Sequence, residues 1–408
     1  MALVERAEVR QQPSVARLAG VDLARGLAVF GMFAAHVGPD PTSGGIIGGL
    51  MQFSQGRASA LFATLAGLSL AIMSGRQEPA TGLKGRQARI RIAIRAVILF
   101  VFGTLLTMTG TSVVVILAYY GLFFLLALPF TRLRSVPLAI IAAVTAIIGP
   151  ILSFVVRNWL TTTGLARGLI ANDPIRMIGG ESMVQFLLTG GYPVLTWMPF
   201  VFAGMALGRL DLTAVTTRIR LAIIGPALAV IGYGGSWIAL QIFGGADLSR
   251  RFPGGMKKFG DMPEGGSGGV PGMSALTENG EPMGAVPTDT PLRLLGSDPH
   301  SGTSFEIIGS VGVAITILVG ALVLAEKLPR LWRPVTAVGS MSLTAYVLHV
   351  IAIDATGLTS GAQPLSVLLA FIAGAIVFAL VWSRFFRRGP LEFLLNKATT
   401  TRVAVPKT

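Results

Sequence analysis

Gly20-Val21-Asp22-Leu23-Ala24-Arg25-Gly26-Leu27-Ala28-Val29-Phe30-Gly31-Met32-Phe33-Ala34-Ala35-His36 is an apolar run broken by three titratable side chains. An α-helix turns about 100° per residue, so the step from Arg25 to His36 is three turns plus about 20°. The two side chains therefore share a face, about 16 Å apart along the axis. Asp22 lies on that face, one turn before Arg25. Ionisable residues inside a membrane-spanning helix face a protein interior or a wet cavity, and they mark a functional site by default.

Composition sets the class around this helix. The 408 residues are 52% hydrophobic and 13% charged, whereas a soluble domain carries about 25% charge. The chain reads as an all-α, polytopic membrane protein. It contains no cysteine, which excludes disulfides, thiolate metal sites and a cysteine nucleophile. Three histidines without carboxylates at ligand spacing argue against a metal site. The net charge of +14 is distributed as membrane topology demands, so a nucleic-acid partner is not expected. Asp22 and Arg25 interrupt any signal-like apolar stretch, and no cleavable signal is expected.

Apolar runs of spanning length fall at about ten places: 18–38, 57–75, 91–110, 112–130, 135–156, 191–209, 219–243, 304–326, 336–357 and 365–385. Only Gly110-Thr111 separates the third from the fourth, which predicts a tight hairpin. Basic clusters occupy every second connection. They precede the first span (Arg6, Arg10, Arg17) and follow the second (Arg76, Lys84, Arg86, Arg89, Arg91). They recur after the fourth, sixth, eighth and tenth spans. The positive-inside rule places these connections, and both termini, in the cytoplasm.

The chain then divides into a cytoplasmic tail, 1–17, a first bundle of about seven spans, 18–243, and a loop, 244–303. A second bundle of about three spans, 304–395, and a cytoplasmic tail, 396–408, complete it. The 244–303 loop is dense in glycine and proline and is expected to lie outside without a core of its own. The basic stretch 84–95 reads as a cytoplasmic loop. Within the ninth span, Ser342, Tyr346 and His349 are spaced to share a face. All three histidines, His36, His300 and His349, fall toward the outer side, with Glu306, Asp354, Gln52, Gln55 and Arg57.

The pattern Asp22-x-x-Arg25-Gly26, with ten residues between Arg25 and His36, resembles the opening motif of transmembrane acyltransferases. These include the acyltransferase type 3 family and the heparan-α-glucosaminide N-acetyltransferases. The run Gly339 to His349 is similar to the second conserved helix of the type 3 enzymes. Trp382-x-x-Phe385-x-x-Arg388-Gly389-Pro390-Leu391-Glu392 resembles the YeiB group of bacterial membrane proteins. Gly56-Arg57 leading into Leu61–Gly67, and His300-Ser301-Gly302-Thr303, point to the same group. The resemblance is patchy but runs from residue 17 to 395.

It implies transfer of an acyl group from cytoplasmic acyl-CoA or acetyl-CoA to an extracytoplasmic glycan, glycolipid or small amine, in a bacterial plasma membrane. Arg25, with Asp22 beside it, would meet the CoA phosphates, and Arg89 and Arg91 would help to recruit them. A pantetheine arm is comparable in reach to the distance from Arg25 to His36. His36 would act as base or acyl relay, alone or with His300. Arg57, Tyr346 and His349 would contact acceptor or acyl group. One departure stands out: the lysosomal enzymes carry their histidine in the loop after the first span, and Val37–Gly56 here contains none.

Each assignment has a plainer counterpart. Asp22 and Arg25 can form a packing ion pair. Tyr346 and His349 can be interhelical hydrogen bonds. Arg57 can face lipid headgroups, and the basic stretch can be topology alone. A transporter, or a lipid- or metabolite-binding membrane protein, would place substrate or protons on the same polar stripe. A degenerate member would act as an assembly factor. Membrane lipids are partners in every case, and the sequence leaves association as a homodimer open.

Overall fold

The computed structural model describes residues 15–177, 180–243 and 284–401, and every regular element in them is helical. The two tails, and residues 244–283 of the expected loop, lie largely or wholly outside the described residues. Among the described residues, seven helices are long and apolar enough to cross a membrane, or eight if one bent pair counts as a span. The protein is thus a multi-pass membrane protein. The expectation of ten spans meets two short apolar helices, Ile116–Arg132 and Val194–Gly208, which do not reach that length alone.

The helices are α1 (Val15–Val37), α2 (Gly45–Ser54), α3 (Arg57–Met73), α4 (Gly82–Thr107), α5 (Ile116–Ala127) and α6 (Ser135–Thr162). Two short helices follow, α7 (Leu165–Ala171) and α8 (Pro174–Met177), then α9 (Val194–Gly208) and α10 (Val215–Ala229). A π turn leads from α10 into α11 (Gly235–Ile242). The chain ends with α12 (Ser304–Lys327), α13 (Pro329–Ser340), α14 (Ser342–Ala355), α15 (Leu365–Phe385) and α16 (Pro390–Thr401).

α1 is the axis of the fold. It packs against α3, α12, α13, α14 and α15, so both sides of the sequence loop build one body. Small residues permit the closest approach. A Cβ on Gly339 of α13 would run into the Asp22 carbonyl, and one on Gly26 of α1 into the Val335 carbonyl. α15 lies at the rim, and most of its apolar surface is left uncovered by other helices. Its exposed Val377 and Val381 then face lipid, where an apolar surface costs nothing.

Three local expectations change. The stretch 84–95 is not a loop, because α4 starts at Gly82 and carries its basic residues on helical turns. The hairpin between α4 and α5 turns over residues 108–115 rather than at Gly110-Thr111 alone. Residues 284–303 are built into the fold. Arg157 donates to the Val286 carbonyl at 2.6 Å and Ser236 to the Leu295 carbonyl at 2.6 Å. Thr303 then caps α12, accepting from the Glu306 amide at 3.1 Å.

The expected ninth span is bent. α13 and α14 meet at 73°, with Met341 at φ −126° and ψ 38° between them. The bend starts α14 afresh at Ser342, and α14 carries Tyr346 and His349.

Candidate functional site

Two of the three histidines touch. His36 Nδ1 and His349 Nε2 are 2.9 Å apart, and the rings lie edge to edge and nearly parallel, with centroids 5.2 Å apart and planes within 7°. His349 is 3% exposed, while His36 stays partly exposed. Phe33 packs on the His349 ring at 4.8 Å and Tyr346 meets it edge-on at 5.1 Å. Tyr346 Oη accepts from the Ile116 amide at 3.2 Å, which ties α14 to the start of α5.

The end of α1 is fixed by the segment after α14. The last carbonyls of a helix lack intrahelical partners. Here the Gly361 amide donates to the His36 carbonyl at 2.8 Å and the Gln363 amide to that of Gly38 at 2.9 Å. The same stretch of chain therefore holds the backbone of His36 and, through α14, the ring that His36 meets.

His300 joins from the loop before α12 and lies within electrostatic range of His36. It stacks on Trp197 with centroids 5.7 Å apart and meets Tyr192 edge-on at 5.7 Å. Its backbone sits at φ +61°, a conformation uncommon outside glycine and often seen at functional sites. Gly56 makes room for this loop, since a Cβ there would stand 3.1 Å from Pro299. Burial pushes the His300 imidazole down to about 4, so it is neutral at neutral pH.

A cationic cluster occupies the opposite half of α1. Arg25 Nη1 donates to Asp22 Oδ1 at 2.7 Å and Nη2 to Ser69 Oγ at 2.8 Å. The ion pair expected as the plainer role is thus formed, and both side chains remain about a quarter exposed. Arg95 of α4 lies within electrostatic range of Arg25, Arg388 and Glu392. It contacts the Met73 sulfur at 3.8 Å and forms no ion pair among the described residues. Three guanidinium groups and two carboxylates leave one positive charge in excess, which suits phosphate oxygens.

Residues 17–236 match the family model described as heparan-alpha-glucosaminide N-acetyltransferase, catalytic. The chain belongs to the heparan-α-glucosaminide N-acetyltransferase catalytic family. Residues 299–402 match a second model, described as protein of unknown function (DUF418), in keeping with the YeiB-like reading of the closing motif. A comparison with curated proteins gives no match. The histidine cluster draws on both matches: His36 lies in the acetyltransferase stretch, and His300 and His349 lie in the other. So does the cationic cluster, with Arg25 and Arg95 in the first and Arg388 in the second.

Other sequence candidates in this family member lie elsewhere or take other partners. Arg91 is exposed, and neither Arg89 nor Arg91 is among the charges acting on Arg95. Arg57 Nε donates to Tyr233 Oη at 3.0 Å, and its guanidinium lies 4.6 Å from the Tyr233 ring centre. Tyr233 Oη continues to Ser310 Oγ at 3.0 Å, beside buried Glu306. Asp354 and Gln52 are exposed. No group of three or more histidine, aspartate and glutamate side chains could hold a metal ion among the described residues.

The sequence reading does not single out Arg95, and it gives Glu392 only as part of the closing motif. Arg95 carried the same signal as Arg25, a cation inside an apolar run (Ile92-Ala93-Ile94-Arg95-Ala96-Val97). It lies at the end of the stretch 84–95, which the sequence reading takes as a basic loop.

Proposed function

We propose that the protein transfers an acetyl group from cytoplasmic acetyl-CoA to an acceptor on the outer side of a bacterial plasma membrane. The hydrogen bond between His36 and His349 carries this reading, because His36 shares α1 with Arg25 of the cationic cluster and lies about 16 Å from it. Arg25, Arg95 and Arg388 would hold the CoA phosphates. The pantetheine arm would then run along α1 and bring the thioester to His36.

His349 Nδ1 is buried without a hydrogen-bond partner among the described residues, and Nε2 faces His36. The proposed mechanism places the proton of neutral His349 on Nδ1. His349 Nε2 then accepts from His36 Nδ1, and His36 Nε2 is left as the base. Such an orienting partner fixes tautomer and ring plane, as the acid does in a hydrolase triad.

In the reaction, His36 Nε2 takes the proton of an acceptor amine or hydroxyl as that atom attacks the thioester carbonyl carbon. The tetrahedral adduct collapses with loss of the C–S bond. The CoA sulfur takes the proton back from His36, and the base is restored. The family description points to a glucosaminide amine as acceptor; glycolipids and small amines share the nucleophile.

The test seals acetyl-CoA inside proteoliposomes and adds glucosamine outside. The expected result is N-acetylated product outside with CoA kept inside. Product that forms only when both substrates share a compartment would contradict transfer across the membrane.

A further inference from the structure

The closing motif Arg388-Gly389-Pro390-Leu391-Glu392 has so far contributed Arg388 and the Glu392 carboxylate to the charge balance of the cationic cluster. α16 starts at Pro390 and turns back on α14 and α4. This brings Glu392 to the first turn of α14. Its Oε1 accepts from the Leu343 amide at 2.8 Å and the Thr344 amide at 3.1 Å. Its Oε2 accepts from Thr344 Oγ1 at 2.6 Å, and the Leu391 amide donates to that hydroxyl at 3.1 Å.

The bend explains the need for this carboxylate. α14 begins after a 73° break, so its first amides have no preceding turn to bond. They also form the positive end of the helix dipole. A carboxylate there satisfies two donors and the dipole together. Gly389 is required by the fit, since a Cβ would stand 2.5 Å from Met341 Cβ and 2.9 Å from Thr344 Oγ1.

The consequence lies farther along α14. Tyr346 and His349 follow Thr344 on the same helix, and His349 meets His36. A slip of one residue would rotate the His349 ring by about 100° and shift it by about 1.5 Å. We propose that Glu392 is a positioning residue for the histidine pair: it caps the start of α14 and so holds His349 within hydrogen-bond reach of His36. Its own contacts are with α14 rather than with donor or acceptor. This inference rests on the acetyltransferase reading for its kinetic effect, but not for its structural one.

Both effects are measurable. Glu392→Ala is expected to lower kcat on the order of 10²-fold through misplacement of the pair, with the KM for acetyl-CoA no higher than in the wild type, since the variant removes a negative charge beside Arg95. Glu392→Gln keeps an acceptor for the two amides and retains most of the activity. In a His349→Ala background, Glu392→Ala adds no further loss. An equal loss in both backgrounds, or a change confined to KM, would overturn the proposal.

The chain has three histidines, so imidazole NMR of the histidine-labelled protein reads the site without any turnover. Glu392→Ala should shift the His36 and His349 signals and leave those of His300 in place. Three unchanged signals would sink the positioning role, and three shifted signals would show a general structural one. If Glu392→Ala does not fold, Glu392→Asp, one methylene shorter, gives the same reading. A wild type that releases no CoA, with the NMR shifts as expected, would refute the acetyltransferase reading alone.

Discussion

His36 on α1 and His349 on α14 share a hydrogen bond of 2.9 Å across 313 residues of chain. A hydrogen bond between two imidazoles needs one ring nitrogen to donate and the other to accept. One ring can therefore serve as base while the other orients it. His349→Ala is expected to lower kcat about 10²-fold, within the range for general base catalysis, and to leave the KM for acetyl-CoA in place. Steady-state CoA release checks this. Unchanged kcat would remove His349 from the chemistry.

The cationic cluster predicts a separation of ligand binding from stability. Arg95 forms no ion pair among the described residues, so Arg95→Ala should raise the KM for acetyl-CoA about tenfold, or about 1.4 kcal/mol, without lowering Tm. Arg25→Ala should raise KM and also lower Tm, because it leaves Asp22 without its partner. The double variant Asp22→Asn, Arg25→Ala should recover Tm but not KM. Recovery of both would reduce Arg25 to a packing role.

His300 gives the pH dependence of stability a sign. Burial holds its folded-state value at about 4, below the ordinary value of 6.5. Between these values the unfolded chain binds the proton and the folded one does not, so stability falls as pH drops from 6.5 toward 4. His300→Asn, which tolerates the positive φ, should flatten that part of the Tm profile. An identical acid limb in the variant would contradict the assignment.

Arg209, 4% exposed, clasps the ends of several elements. Its guanidinium donates to the carbonyls of Leu133, Ala71, Arg76 and Thr131, and to Ser74 Oγ at 2.8 Å. A lysine offers fewer donors and no fork. Arg209→Lys is expected to cost on the order of 3 kcal/mol, seen as a lower Tm, with KM unchanged in the protein that remains folded. A Tm equal to wild type would show that the clasp carries no stability.

What could be read from sequence was local. The face shared by Asp22, Arg25 and His36 follows from helical periodicity alone, and α1 is one unbroken helix through all three. Apolar run length gave the helical, multi-pass class. Long-range pairing was beyond that reach: nothing near His36 in sequence names His349 as its partner. The bend before α14 was read as a continuous span, because hydropathy does not register a turn whose amides are satisfied by a distant carboxylate. Glu392 was seen as part of a family signature and not as a cap for the same reason. Arg57 was given to an acceptor because its partner Tyr233 lies 176 residues away.

The most direct test of the central claim is release of CoA from acetyl-CoA by purified wild type and His36→Ala, with glucosamine as acceptor. The chain has no cysteine, so a thiol-reactive dye reads only the released CoA. The account predicts steady release by the wild type and none above background from a His36→Ala protein of wild-type Tm. Equal release by the two proteins would contradict it.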